Sequence, residues 1–255
     1  MKSVFITGAA SGIGLATARH FAAKGCFVGL YDINQQGLDS AMASGDFPAA
    51  SSGICDVNSR DSISAALADF ASHTNGQCHI LVNNAGVLSN GPFIDIAPEA
   101  HDLMIDINIR GLTHVAQLGF PLLKATPGAS LVNLCSSSSI HGVPELAVYS
   151  STKFYVNGLT QALHLEWEQH DIRVTCVKPH IVNTPMAAEL QEDPDSADTV
   201  NLSPEEIAQA IDTAASGTRV SYIIGKQAKS WALLTKFLPE SMQLGLVRRL
   251  MSQLE

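Results

Sequence analysis

The sequence predicts a doubly wound α/β fold, a parallel sheet covered by helices on both faces. Three observations predict it. Short apolar runs alternate with longer stretches of helical periodicity, with no internal repeat and no low-complexity linker. The first run leads straight into a glycine-rich turn and a helix, and the second ends on a carboxylate, Asp32.

Ser3-Val4-Phe5-Ile6-Thr7 reads as a short buried strand, and Gly12 opens a helix with apolar residues at Ile13, Ala16, Ala18 and Phe21. Between them runs the turn Thr7-Gly8-Ala9-Ala10-Ser11-Gly12-Ile13-Gly14. A strand, a glycine turn and a helix amino terminus make an anion site, because unpaired N–H groups and the helix dipole face one point. Gly8 permits the tight turn, while Gly12 and Gly14 let backbone and helix approach a pyrophosphate and the sheet. The spacing Gly-x-x-x-Gly-x-Gly departs from the usual Gly-x-Gly-x-x-Gly dinucleotide fingerprint. Cys26 to Asp32 forms the second strand, and an acidic residue at its end is placed to hold a ribose 2′-hydroxyl. Its charge repels a 2′-phosphate, and neither the turn nor the segment Ile33 to Gly37 carries a lysine or arginine. NAD is therefore expected in preference to NADP. The competing reading makes Asp32 a cap of the next helix.

Ser52 to Cys55, His79 to Val82, Ser130 to Cys135, Ile172 to Val177 and Val220 to Ile224 supply the remaining strands. Helices fall between them, the longest around Glu99 to Lys124 and Tyr149 to Gln169. A strand order 3-2-1-4-5-6-7 puts a ligand across the crevice where the winding reverses, beside strands 1 and 4.

Tyr149 and Lys153 are four residues apart, so a helix sets them on one face. A phenol ordinarily titrates near pH ~10 and is a poor base at neutrality. A cation at about 4 Å, in an effective dielectric near 20, favours the phenolate by about 4 kcal/mol, enough to poise it for general acid–base work. Ser136, just past the run Ser130 to Leu134, is placed to hydrogen-bond a substrate oxygen. A Tyr/Lys pair alone is usually a surface pair and a serine cluster usually a loop; the glycine turn in the same chain reverses that reading.

The chain resembles the single-domain short-chain dehydrogenase/reductases over about residues 2 to 225. Thr7-Gly8 through Gly14 resemble the family's cofactor turn, Asp56-Val57 its adenine-contacting pair, and Asn83-Asn84-Ala85-Gly86 the segment after its fourth strand. Asn108, in Ile107-Asn108-Ile109-Arg110-Gly111, stands where the family has its catalytic asparagine, and Ser136, Tyr149 and Lys153 complete the tetrad. Pro179, Val182 and Thr184 match the stretch that borders the nicotinamide. The resemblance implies a Rossmann fold spanning residues 1–255 as a single domain, and hydride transfer between NAD(H) and a secondary alcohol or ketone. Tyr149 would be the acid or base and Ser136 would orient the reacting oxygen. Lys153 would lower the tyrosine pKa and bind the nicotinamide ribose, and Asn108 would hold a proton-relaying water. Gly8, Ser11, Gly12, Ile13, Gly14, Asp32, Asp56, Val57, Asn83, Ala85, Gly86, Pro179, Val182 and Thr184 would join Tyr149 and Lys153 around the cofactor. Residue type supports the role of Asn108: a mid-helix Asn competes for backbone hydrogen bonds and opens the ladder locally. Homodimers or homotetramers built from the long central helices are implied too.

One departure from the family is Pro179-His180 where Pro-Gly is common. Histidine has an unperturbed pKa near 6.5, and the two readings are a pocket-lining His180, joined by His141 and Glu145, or a solvent-facing one. A substrate loop, 185–202, carries Glu189, Glu192, Asp193, Asp195 and Asp198, which disfavours a phosphate-rich substrate. A helical tail, 226–255, has Trp231, Leu234, Phe237 and Leu238 at helical spacing, a break at Pro239, and a second stripe of Leu244, Val247, Leu250 and Met251 with Arg248 and Arg249 at its edge. It is either packed on the domain or a partner subunit, a lid over an apolar pocket, or an interfacial membrane helix.

A chain of 255 residues can bury one large core. A net charge of -9 disfavours nucleic acid as a partner, and the resemblance implies a small alcohol or carbonyl compound instead. The five cysteines, Cys26, Cys55, Cys78, Cys135 and Cys176, have no zinc or Cys-x-x-Cys spacing, so no metal site is expected and they read as reduced packing residues of a cytoplasmic protein. No signal peptide or transmembrane span is expected. The rival class is a redox sensor or scaffold that binds NAD(H) without turnover, against which the full tetrad argues; a second rival, epimerisation through a transient ketone, wants a further substrate domain.

Overall fold

The computed structural model describes residues 1–188 and 202–251. Seven parallel strands form one sheet in the order 3-2-1-4-5-6-7: β1 (Ser3–Thr7), β2 (Phe27–Asp32), β3 (Ala50–Ile54), β4 (Ile80–Asn83), β5 (Ser130–Leu134), β6 (Arg173–Pro179) and β7 (Ser221–Ile224). The helices are α1 (Gly12–Ala23), α2 (Gln35–Ala43), α3 (Arg60–His73), α4 (Pro98–Ile105), α5 (Leu112–Lys124), α6 (Ala147–Trp167), the short α7 (Pro185–Ala188), α8 (Pro204–Ser216), α9 (Lys226–Thr235) and α10 (Glu240–Met251). Strand ends differ from the sequence reading by one or two residues. β2 starts at Phe27 because the Cys26 N–H donates to the Phe21 carbonyl and closes α1.

The side-chain alternation of β1 divides the core. Val4 and Ile6 pack with Phe21, Leu30, Ile207 and Ile211 under α1 and α8. Phe5 points to the other face, stacking on Tyr31 at 4.6 Å and meeting Phe70 edge-on at 5.4 Å, in a layer completed by Leu81, Val115 and Leu131. With both faces covered, β1 and β4 at the centre are fully buried and nearly continuous apolar runs.

The stretch around Glu99 to Lys124 is helical throughout but not uniformly α. Between α4 and α5 the turns widen into a π segment, Asp106–Gly111, centred on Asn108. Asn108 is 1% exposed, which excludes an ordinary surface position. Pro239 separates α9 from α10, and the Gln243 amide, donating to the Thr235 and Leu238 carbonyls, ties the two into a bracket. Of the acidic residues read into the substrate loop, Glu189, Glu192, Asp193, Asp195 and Asp198 lie outside the described residues, as do the side chains of Arg249, Leu250 and Met251.

The sheet is pinned at its winding switch. The fully buried Thr7 Oγ1 accepts from the N–H groups of Asn84 at 3.0 Å and Ala85 at 3.1 Å, and the Asn84 amide donates back to the carbonyls of Thr7 and Gly8. Replacing Thr7 by valine keeps the shape and removes the acceptor, stranding two backbone donors. Thr7→Val is expected to cost about 1–3 kcal/mol and to lower the thermal midpoint by roughly 2–10 °C, read by circular dichroism, with Thr7→Ser close to wild type.

Candidate active site

A cavity of about 970 Å³ opens at the carboxyl ends of the strands. Its wall runs from Asp32, at the end of β2, to Gln227 and Trp231 on the helix after β7. Five strand spacings separate those ends, about 24 Å at the usual inter-strand distance. Along that length lie Gly8, Ser11, Gly12, Ile13, Asp56, Val57, Ala85, Gly86, Ser136, His141, Tyr149, Lys153, Pro179, His180, Val182 and Thr184.

The glycine turn is built by exclusion. Gly8 has φ +67, and a Cβ on it would sit 2.9 Å from Asn84 Nδ2. A Cβ on Gly14 would overlap the Gly8 carbonyl oxygen, so Gly14 supports the turn from behind and does not line the cavity. The Asp32 carboxylate accepts from Ala10 N and Asn34 N, each at 2.9 Å. The cap of α2 is Asn34, whose Oδ1 accepts from Gly37 N, so the capping alternative for Asp32 fails. By contrast, α1 has no side-chain cap at Ser11, which leaves its first N–H groups directed to the crevice. Asp56 Oδ1 accepts from Asn58 N, and Val57 packs against Gly111.

Besides Gly14, three sequence-predicted site residues lie off the wall: Asn83, Asn108 and Glu145. Asn83 is buried, and its Nδ2 donates 2.8 Å to the Leu112 carbonyl, tying β4 to α5. The strand alternation turns it inward and gives the crevice position to Asn84. Glu145 is exposed in a left-handed turn, φ +64, where its carbonyl accepts from Gly91 N.

Tyr149 and Lys153 occupy successive turns of α6, facing Ser136 after β5. Tyr149 and Ser136 share one stretch of the cavity wall, near enough for the serine hydroxyl to favour the phenolate. Lys153 is 6% exposed, lies 5.4 Å from the Tyr149 ring centre, and donates 3.1 Å to the Leu134 carbonyl. Burial pushes the Tyr149 phenol up to about 12, against the pull of Ser136. Burial also lowers the Lys153 ammonium. Desolvation is the largest influence on both groups in this arrangement. Asn108 sits behind the wall. Its Oδ1 accepts from Val87 N at 2.9 Å, while Nδ2 donates to Val87 O at 2.8 Å and Thr152 Oγ1 at 3.3 Å. Both amide donors are engaged within the protein, so the side chain fixes the loop after β4.

His180 faces the cavity, its ring held between Ser137 Oγ at 3.2 Å and Gln227 Oε1 at 3.1 Å. Burial lowers its pKa, keeping the ring neutral at pH 7. His141 meets Trp231 edge-on at 6.0 Å, with its Nδ1–H donating to the Gly142 carbonyl. Thr7, Asn84, Gln227 and Trp231 were not read as site residues. Only the doublet Asn83-Asn84 and the periodicity that includes Trp231 hinted at two of them. The tail is both packed and lining: Ala228 and Ala232 are buried on the domain, while Gln227, Trp231 and Val247 face the cavity.

Uncapped N–H groups, a turn with no room for side chains, a pinned carboxylate and an elongated crevice fit a dinucleotide. Comparison with known proteins agrees. A family model described as short chain dehydrogenase matches residues 2–195. The 3-oxoacyl-[acyl-carrier-protein] reductase FabG of Thermotoga maritima is 34% identical over 88% of this chain and 94% of its own. The cyclohexanol dehydrogenase of an Acinetobacter strain is 32% identical over 82% and 86%. Among solved structures, a 3-ketoacyl-(acyl-carrier-protein) reductase from Brucella melitensis complexed with NADH superposes with TM-score 0.80 at 28% identity, covering 88% of this chain and 96% of that one. Actinorhodin polyketide ketoreductase with NADPH gives 0.78 at 27%, covering 88% and 95%. The crevice, the switch-point lock and these matches together make the chain a member of the short-chain dehydrogenase/reductase family, whose members are oxidoreductases that use a nicotinamide cofactor.

Proposed function

We propose that the protein is an NAD-dependent dehydrogenase/reductase of a secondary alcohol and its ketone, with Tyr149 as the general acid–base. The observation that carries this reading is the convergence of the Tyr149 hydroxyl, Ser136 and Lys153 on one stretch of cavity wall. Bound in the crevice, the nicotinamide ring supplies the hydride acceptor or donor. Ser136 holds the substrate oxygen, and Tyr149 takes the hydroxyl proton in oxidation or returns it in reduction. Lys153 and the positive charge of an oxidised nicotinamide favour the phenolate from two sides, opposing the burial that raises it. Asn108 acts as a positioning residue through Val87 and Thr152.

Asp32 supports NAD. No lysine or arginine occurs from Gly25 to Ser59, so a 2′-phosphate beside that carboxylate finds no local partner. The rest of the wall supports an uncharged substrate. Lys153 is the single Lys or Arg among the described lining residues, and none occurs in the sequence between Lys178 and Arg219. Leu88, Leu103, Val143, Leu146, Met186 and Trp231 make the remainder apolar, which favours compounds like cyclohexanol over anionic ones.

The decisive test is NADH formation from NAD and a panel of neutral secondary alcohols. Tyr149→Phe is expected to lower kcat by about 10²–10⁴-fold while NADH binding persists; binding with no turnover of any alcohol or ketone by the wild type would favour a sensor instead. Asp32→Asn is expected to tighten NADPH relative to NADH by about tenfold in fluorescence titrations, roughly the effect of one lost repulsion of 1.4 kcal/mol. Oxidation requires the phenolate and reduction the phenol, so kcat for oxidation should rise with pH and kcat for reduction fall. Ultraviolet difference titration, with Tyr149→Phe as the blank, should place the phenol near 12 in the free protein and lower with NAD bound.

A further inference from the structure

One face of α9 belongs to the cavity and the domain; the opposite face has no partner among the described residues. At about 100° per residue, Ala228, Trp231 and Ala232 point inward while Leu233 points away, and Phe237 stands exposed in the turn just past the helix. Leu233 is 61% exposed and Phe237 79%, and α10 adds Met242 at 55%, on the side away from Val247. Lys226, Lys229 and Lys236 are exposed around that outward stripe and form no ion pair among the described residues.

The charge of this segment is opposite to that of the chain. Residues 226–251 carry five of the 15 lysines and arginines against one carboxylate, Glu240, in a protein of net charge -9. An apolar stripe flanked by lysines suits a bilayer boundary: the rings and branched chains enter the acyl region while lysine stems reach back to phosphates. We propose that the outward face of α9 and α10 docks on an anionic lipid surface, lying on it and not crossing it. The helices have 10 and 12 residues, about half of what a span needs. Pairing of this face with its own copy is disfavoured, because an isologous contact would bring the three lysines of each chain together.

Co-sedimentation with vesicles tests this, using phosphatidylcholine alone and phosphatidylcholine mixed with phosphatidylglycerol, at low and high salt. The protein is expected to pellet with the anionic vesicles at low salt and to be released by high salt. Lys226→Gln, Lys229→Gln and Lys236→Gln should each weaken partitioning roughly fivefold. Leu233→Ser with Phe237→Ser should weaken it at least as much, with NADH binding and thermal midpoint unchanged because both side chains are exposed. Protein that stays in the supernatant, or pellets equally with both vesicle types, would overturn the proposal. So would sedimentation equilibrium showing a dimer that Leu233→Ser with Phe237→Ser dissolves, which would assign the face to a second copy.

Discussion

Two turns in van der Waals contact govern this molecule. The chain leaving β1 and the chain leaving β4 must part in opposite directions at the winding switch, yet they lie so close that Gly8 faces Asn84 and Ala85 with no room for a Cβ. Such proximity is tolerable only because the polar atoms trapped there satisfy one another: Thr7 receives two N–H groups, and the Asn84 amide answers two carbonyls. The floor of the crevice is thus a closed polar network, rigid because each member has its partner.

From that floor, order passes outward through buried amides. Asn83 fastens β4 to the start of α5. Asn108, released by the π turn from regular helix geometry, grips the backbone at Val87 and touches Thr152 on α6. Tyr149 and Lys153 are carried by that same helix, and a Cβ on Gly86 would sit 3.1 Å from Asn108 Oδ1 and 3.8 Å from Lys153 Nζ. The cofactor floor and the proton-handling helix are therefore one mechanical unit.

Most of this architecture was legible in the sequence because it rests on local rules. Apolar runs of strand length, a glycine turn and an acidic strand end are one-dimensional signals, and all seven strands followed from them. What was not legible depends on direction. Asn83 and Asn84 are neighbours of identical chemistry, and only strand alternation decides which meets the crevice. Glu145 lies close in sequence to Tyr149, but a left-handed turn carries it outward. Spacing likewise shows that Lys153 is near Tyr149 but says nothing of how far either is desolvated. The role of Trp231 required knowing where α9 folds back.

The tail has a consequence of another kind. It packs chiefly on β7, the last strand at one margin of the sheet, far from the glycine turn and from the buried amides that hold α6. Yet it contributes Gln227, Ala228, Trp231 and Val247 to the wall. Substitutions there can reshape what the cavity accepts while the nucleotide floor and the proton-transfer geometry stay intact. The carboxyl-terminal bracket therefore shapes one end of the cavity from outside the machinery that holds the nucleotide floor and the proton-handling helix.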